Sequence, residues 1–222
     1  MSNILQIGFT TEGSTDVRFL KNIIWKIFQE IATECNGVID VYEPEFLKKG
    51  DGSFVEKVLG VCEMFNYFHV ICIHCDSDSA STENVFNYSI NPAFDAVDKS
   101  ENNLCKNLVP VIPVQMSEAW MLCNVDLLME KIGTKLSAAD LGLPTKPSQI
   151  EKIANPKEII NEAIRKAKNQ STRRRRKELS ISQLYSPISQ ELKIEDLMTL
   201  DSFVAFRDHV RSAFKKLNYL SD

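Results

Sequence analysis

The hydrophobic positions of this chain follow two different spacings over about the first 135 residues. Short apolar runs rich in β-branched residues predict strands at 4–9, 38–42, 68–74 and 109–114. Apolar residues that recur every three or four positions predict helices at 17–32, 54–65 and 119–132, and a further helix is expected at 92–103. Pro110 and Pro113 favour an edge or end position for the last strand. Strands that alternate with helices predict an α/β fold with a mostly parallel sheet flanked by helices.

Beyond about residue 135 the pattern changes, because strand-like runs disappear and prolines interrupt the chain. Helices are predicted at 156–168, 181–192 and 202–217. Proline is favoured at the first position of a helix, which agrees with a helix that begins at Pro156. We therefore predict an α/β domain over residues 1–135 and an α-helical C-terminal extension over residues 136–222 that packs on it.

Composition narrows the class of protein. A chain of 222 residues with 44% hydrophobic content is long enough to bury one good core. Its net charge of −4 argues against coating nucleic acid through overall charge, although a local basic patch is compatible with it. No apolar run approaches a membrane span and no signal peptide is recognisable. We expect a cytoplasmic protein with free thiols and no membrane partner.

Acidic side chains follow three of the predicted strands. Glu12 and Asp16 come after the first, Asp76 and Asp78 after the third, and Glu118 after the fourth. The carboxyl ends of parallel strands meet at one edge of a sheet, and carboxylates that converge there repel one another unless a cation lies between them. Mg²⁺ needs only one or two carboxylates together with water and phosphate oxygens. We predict a Mg²⁺ or Mn²⁺ site that includes Glu12, Asp76 and Asp78.

Each acidic motif taken alone has an ordinary explanation. Acids are favoured in the first turn of a helix, which would account for Glu12, Asp16 and Glu118. Asp76-Ser77-Asp78 is also typical of a polar turn. The metal hypothesis rests on the occurrence of these motifs after three separate strands. It also assumes that the chain is extended at 76–78, where side chains two positions apart project to the same side.

A zinc site is the alternative for the cysteines and histidines of the third strand. Cys72 and Cys75 lie near His69 and His74. Side chains three positions apart in a strand point to opposite faces, and no second pair of closely spaced cysteines follows. Buried core thiols are therefore the favoured interpretation, and packing is the expected role of the histidines.

Several short motifs resemble a known family. Glu12-Gly13 with Thr15-Asp16, followed by Asp76-Ser77-Asp78, resembles the TOPRIM domain of topoisomerases, primases and overcoming-lysogenization-defect nucleases. More narrowly, the chain is similar to small TOPRIM-like bacterial proteins that are often encoded beside an ATPase and whose relatives act in anti-phage defence. The further motifs are Glu118-Ala119-Trp120-Met121-Leu122, Asn155-Pro156-Lys157-Glu158 and Ser202-Phe203. Asp16 stands where many of those proteins have glutamate.

This resemblance implies a Rossmann-like TOPRIM fold and a Mg²⁺-dependent nuclease, with residues 1–135 as the catalytic domain. Glu12 would be the general acid/base or a metal ligand, and Asp76 and Asp78 would be metal ligands. Asp16 would belong to the same metal set, and Glu118 would support a second metal. No tyrosine is placed as a strand-cleaving nucleophile, which favours hydrolysis. The implied partners are nucleic acid, either DNA or RNA, and an ATPase; homo-oligomerisation is left open.

Basic residues suggest where nucleic acid would bind. The segment 165–177 contains eight basic residues and no acid. Such a tract could contact phosphates, remain a solvated surface or bind a partner protein. The residues that we expect to bind nucleic acid are Arg173, Arg174, Arg175, Arg176 and Lys177. Lys157 is expected to reach the acidic centre and stabilise charge there, unless it is an ordinary surface cation.

Two other functions remain open at this point. A phosphatase of the haloacid dehalogenase type also uses Asp-x-Asp after a strand, with the first aspartate as nucleophile. The segment 76–80 lacks the threonine or valine usually found two places after the second aspartate of that motif. The other alternative is a non-catalytic TOPRIM-like module that regulates an ATPase or docks onto it.

Overall fold

Six short parallel strands form two sheets in residues 3–170 and 179–221, which this computed structural model describes. The strands are β1 (Asn3–Leu5), β2 (Ile7–Thr10), β3 (Ile39–Val41), β4 (Glu45–Phe46), β5 (Val70–His74) and β6 (Leu108–Val111). The larger sheet has the order β4-β2-β5-β6, and β1 pairs with β3 in a second, two-stranded sheet. Every pairing is parallel, and helices flank the sheets. The predicted α/β class with parallel strands is confirmed, and the arrangement is compatible with a Rossmann-like fold.

Eleven α-helices are described. They are α1 (Asp16–Ala32), α2 (Phe54–Met64), α3 (Glu83–Val85), α4 (Asn91–Lys99), α5 (Glu118–Met121), α6 (Val125–Ile132), α7 (Ala138–Leu141), α8 (Pro156–Gln170), α9 (Tyr185–Glu191), α10 (Ile194–Leu197) and α11 (Asp201–Lys216). A π-helical turn at Phe86–Ile90 joins α3 to α4, and 3₁₀ turns lie at Pro147–Lys152 and Ile181–Gln183. None of the helices in the described ranges has both the length and the apolarity needed to cross a membrane.

The central strand β5 separates two hydrophobic cores. Val70 and Cys72 face the core that contains α1 and α11, whereas Ile71 and Ile73 face the core that contains α2 and α4. This alternation is the two-residue period of a strand whose faces are both covered. Cys75 belongs to the second core, so Cys72 and Cys75 lie on opposite sides, and all six cysteines are free thiols. Cys72 and Cys75 are thus buried thiols on opposite sides of the sheet, as expected for core residues.

A predicted strand and a predicted helix are each divided in the structure. The run 4–9 is divided at Gln6, whose backbone N–H donates to His69 Nδ1 over 3.1 Å, so that β1 and β2 pair in different sheets. The predicted helix 119–132 is divided into α5 and α6. Asn124 breaks it because its side chain caps α6, accepting a hydrogen bond from Leu127 N over 2.9 Å. The edge position predicted for the proline-containing strand is confirmed by β6.

The helices that follow residue 135 share the first core with the sheet. In α11, Phe203, Phe206 and Phe214 are buried on one face, as their spacing predicts. Trp120 in α5 has its ring centroid 5.2 Å from that of Phe203, and its indole nitrogen donates to Ser202 Oγ over 2.8 Å. The core therefore continues across residue 135, and the division into two domains at that point stays a prediction.

Candidate functional site

The segments that leave β2 and β5 stay close together at the carboxyl edge of the larger sheet. The two strands pair with Ile7 opposite Val70, and the same offset continued along the chain brings Glu12 opposite Cys75. The Cys75 thiol donates to Glu12 Oε1 over 3.0 Å. Burial raises the pKa of this thiol, and the hydrogen bond to Glu12 raises it further, so the thiol stays protonated and able to donate.

The segments that leave β5 and β6 also remain paired beyond the strands. Ser77 N donates to Pro113 O over 3.3 Å, and Asp78 N donates to Gln115 O over 2.9 Å. The buried Ser77 hydroxyl accepts from Gln115 N over 2.7 Å. These bonds fix Ser117, which follows shortly after Gln115, beside the end of β5.

Ser117 joins carboxylates that come from three separate motifs. Its hydroxyl donates to Asp16 Oδ1 over 2.6 Å, and its backbone N–H donates to Asp76 Oδ1 over 3.2 Å. The same hydroxyl lies 3.5 Å from Glu118 Oε2. Asp16 is held a second time, because Gly13 N donates to its Oδ2 over 3.2 Å. Asp16, Asp76 and Glu118 are thus brought together around one buried serine, which the sequence did not single out.

Glu118 is buried and is bound by two groups from the helical part of the chain. The hydroxyl of the fully buried Tyr185 in α9 donates to Glu118 Oε1. Lys157, in the first turn of α8, has its Nζ 3.6 Å from the same oxygen and remains about half exposed. Burial, followed by the hydrogen bond to Glu118, raises the pKa of Tyr185. Lys157 therefore lies at the acidic centre, whereas Tyr185 is a residue that sequence reasoning missed.

His74 is a second missed residue. It is fully buried at the end of β5, and its Nδ1 accepts from Glu12 N over 3.5 Å. Its Nε2 lies 3.2 Å from Asp76 Oδ1 but is not aligned for a hydrogen bond, so this nitrogen has no hydrogen-bond partner among the described residues. The imidazole of His74 therefore lies between Glu12 and Asp76, in contact with both.

Asp78 does not join the cluster in the way that the extended geometry assumed. Its φ is +47°, in the left-handed region that aspartate tolerates better than most residues. The side chain is exposed and makes no hydrogen bond with the described residues. The expectation that Asp76 and Asp78 project to the same side because the chain is extended is therefore wrong, since the chain turns at Asp78. Its role as a metal ligand stays a prediction.

The carboxylate row consists of Glu12, Asp16, Asp76 and Glu118, and two of its members keep an oxygen that accepts no hydrogen bond from a described residue. Within the described ranges, no group of three or more His, Cys, Asp and Glu side chains is arranged to hold a metal ion. Glu12 Oε2 and Asp76 Oδ2 accept no hydrogen bond from a described residue, whereas their partner oxygens do. Mg²⁺ needs only one or two carboxylates, so these free oxygens are compatible with a magnesium site, which stays a prediction.

A cavity of about 1040 Å³ is lined by the chain after β5, by β6 and by α11. Its lining includes Ala80, Val114 and Ser202, which are close in sequence to Asp78, Ser117 and the start of α11. None of the predicted carboxylates lines it.

The predicted nucleic-acid-binding tract, Arg173 to Lys177, lies outside the described residues.

No protein-family model, curated protein or solved structure matches this chain in comparisons with all three.

Proposed function

We propose that this protein is a metal-dependent nuclease with a TOPRIM-like fold, which hydrolyses phosphodiester bonds in DNA or RNA with Mg²⁺ or Mn²⁺. The observation that carries the proposal is the convergence of Asp16, Asp76 and Glu118 around Ser117. Glu12 is attached to the same edge by Cys75. The motifs that resemble the TOPRIM family contribute each of these carboxylates.

The residues of the row would have two roles, binding the metal ion and accepting a proton. Glu12 and Asp76 carry the free oxygens that would hold the ion. When bound, the ion polarises a phosphoryl oxygen and lowers the pKa of bound water. As the alternative to holding the ion, the exposed carboxylate of Glu12 would accept a proton from an attacking water. Lys157 would stabilise the negative charge that develops on the phosphate.

Hydrolysis is favoured over strand rejoining in this proposal. Rejoining through a covalent intermediate requires a nucleophilic side chain that reaches the phosphate. Tyr185 is the tyrosine bonded to the carboxylate row, and it is fully buried with its hydroxyl directed to Glu118. Water is therefore the nucleophile that we propose.

The ATPase partner and the role in anti-phage defence rest on the resemblance, whereas the location and the basic tract rest on the sequence. We propose that the enzyme acts in the cytoplasm, together with an ATPase partner and in anti-phage defence. The Arg173 to Lys177 tract would bind the nucleic acid backbone.

The nuclease proposal is tested by removing charge from the row. Glu12→Gln and the double variant Asp76→Asn/Asp78→Asn are each expected to abolish Mg²⁺- or Mn²⁺-dependent cleavage of single- and double-stranded DNA and RNA. Glu101→Gln is the control, because Glu101 is exposed and belongs to a loop remote from the motifs. Circular dichroism should show that all variants are folded. Wild-type cleavage by the purified double variant would contradict the proposal.

A further inference from the structure

The edge strand β4 brings one further residue to the carboxyl edge of the sheet. β4 pairs with β2 so that Phe46 lies opposite Phe9, and Leu47 N donates to Phe9 O over 2.8 Å. Paired residues of β2 and β4 are 37 positions apart in the sequence. The same offset, continued beyond the ends of both strands, brings Lys49 opposite Glu12. A continuation of this kind already holds on the other side of β2, where Glu12 meets Cys75.

Close packing between β2 and the chain after β4 supports this placement. Gly8 lies opposite Glu45, and a Cβ at Gly8 would be 2.4 Å from Leu47 Cδ1. Leu47 is buried over the glycine, which anchors the chain two residues before Lys49. The segment that carries Lys49 is therefore fixed to β2, the strand that Glu12 follows.

Lys49 is a partly buried cation with neither an ion pair nor a hydrogen bond from its side chain within the described part of the chain. The Nζ atom of Lys49 lies 6.0 Å from the centroid of the Phe54 ring. Burial lowers the pKa of Lys49, and the negative charge of Glu12 acts in the opposite direction. A partly buried ammonium group without an ion pair can accept a further anion.

The two lysines at the carboxylate row differ in whether the ammonium group forms an ion pair. Lys157 lies 3.6 Å from the buried Glu118, which offsets its charge. Lys49 lies at the other end of the row, where the negative charge of Glu12 acts on it without forming an ion pair. A polyanion that approaches the row is repelled by its carboxylates, so a cation that lies near Glu12 without forming an ion pair would attract a phosphate more strongly than Lys157 does.

We propose that Lys49 binds a non-bridging oxygen of the substrate phosphodiester, on the side of Glu12 that faces away from Glu118. This inference rests on the proposed nuclease function and names a phosphate-binding residue for the same site. Lysine suits the role because its ammonium group binds phosphate as a compact point charge.

Binding without cleavage tests this role directly. The affinity for a fluorescein-labelled single-stranded oligodeoxynucleotide is measured by anisotropy in EDTA, at several NaCl concentrations. Lys49→Ala is expected to raise Kd about tenfold and to reduce the slope of log K against log salt by about 0.7, the value for one lost contact to a single strand. Lys49→Arg should keep Kd within about threefold of wild type, because it preserves the charge. Lys48→Ala is the matched control, since the neighbouring Lys48 is exposed.

Each outcome decides the inference. Equal losses in Lys48→Ala and Lys49→Ala would attribute the effect to net charge and overturn it. A loss that Lys49→Arg does not restore, with an unchanged salt slope, would assign Lys49 a structural role and overturn it too.

If wild type binds no oligonucleotide, the nuclease proposal fails, and inorganic phosphate then decides about Lys49. Thermal unfolding at constant ionic strength should show phosphate raising the Tm of wild type and Lys48→Ala but not of Lys49→Ala. An equal or absent rise in all three would overturn the inference.

Discussion

The two ends of the carboxylate row are built differently. At the β6 end, Ser117, Glu118 and Tyr185 are buried and joined by hydrogen bonds. At the β2 end, Glu12 is exposed and its carboxylate has one hydrogen bond, from the Cys75 thiol. Buried polar groups stabilise a fold only when they are bonded, whereas an exposed carboxylate with a free oxygen costs the fold little. The buried end therefore fixes the geometry of the row, and the open end is where a ligand has room to bind.

The largest effect on stability is expected at Ser117. Ser117→Ala removes the hydroxyl that donates to the buried Asp16, so the free energy of unfolding should fall by about 2 kcal/mol. Urea denaturation in EDTA measures this change. Ser14→Ala is the control, because Ser14 is exposed, and it should alter stability by less than about 0.5 kcal/mol. Equal stability of the two variants would contradict the idea that the β6 end organises the row.

A smaller loss, which depends on pH, is expected at Tyr185. Tyr185→Phe should lower the free energy of unfolding by about 1 kcal/mol at neutral pH, because Glu118 keeps Lys157 as a partner. Burial and Glu118 raise the pKa of the Tyr185 hydroxyl above its ordinary value of 10.0, so the native state holds this proton more tightly than the unfolded chain. The stabilisation is therefore complete below pH 10 and is lost as the pH rises further.

The measurement for Tyr185 is the difference in unfolding free energy between wild type and Tyr185→Phe over a pH series. That difference should shrink above about pH 10. Tyr67→Phe is the control, since Tyr67 is exposed, and its difference from wild type should stay near zero at every pH. A constant gap for Tyr185→Phe across the alkaline range would disagree with the raised pKa.

The smallest effect on the metal-free fold is expected at Glu12. Glu12→Gln should change stability in EDTA by less than about 0.5 kcal/mol, because the side chain is exposed and an amide oxygen can still accept from Cys75. Added Mn²⁺ at ten times its Kd should stabilise wild type by about 1.4 kcal/mol, and Glu12→Gln should lose most of this gain. Differential scanning calorimetry with and without Mn²⁺ compares the two proteins. A full gain in the variant would remove Glu12 from the metal set.

The elements that define the edge of the sheet were predictable because they depend on local patterns. The apolar runs that become β2, β5 and β6 mark where each strand ends, and the acids that follow those ends are visible in the sequence. Parallel pairing then requires the ends to meet, so Asp16, Asp76 and Glu118 could be predicted to lie near one another.

The remaining parts depend on contacts between distant residues. Ser117 and Asp16 are hydrogen-bonded although they are 101 positions apart in the sequence, and Tyr185 and Glu118 are 67 positions apart. No spacing or motif in the sequence predicts either bond. The left-handed turn at Asp78 is stabilised by pairing with Gln115, which the pattern 76–78 does not contain. β4 is two residues long, too short for periodicity to indicate it, and Lys49 was missed together with the strand that positions it.

The absence of a side chain at Gly8 suggests a way in which the affinity of such a site could drift during evolution. Any larger residue there must push Leu47 aside, at a point where the carboxylates themselves are untouched. The loop after β4 would then shift its cation relative to Glu12 while the chemistry at Asp76 and Glu118 stayed the same. The affinity for a ligand and the rate of its reaction could thus change independently. Gly8 would influence the affinity without touching the ligand or the reacting groups.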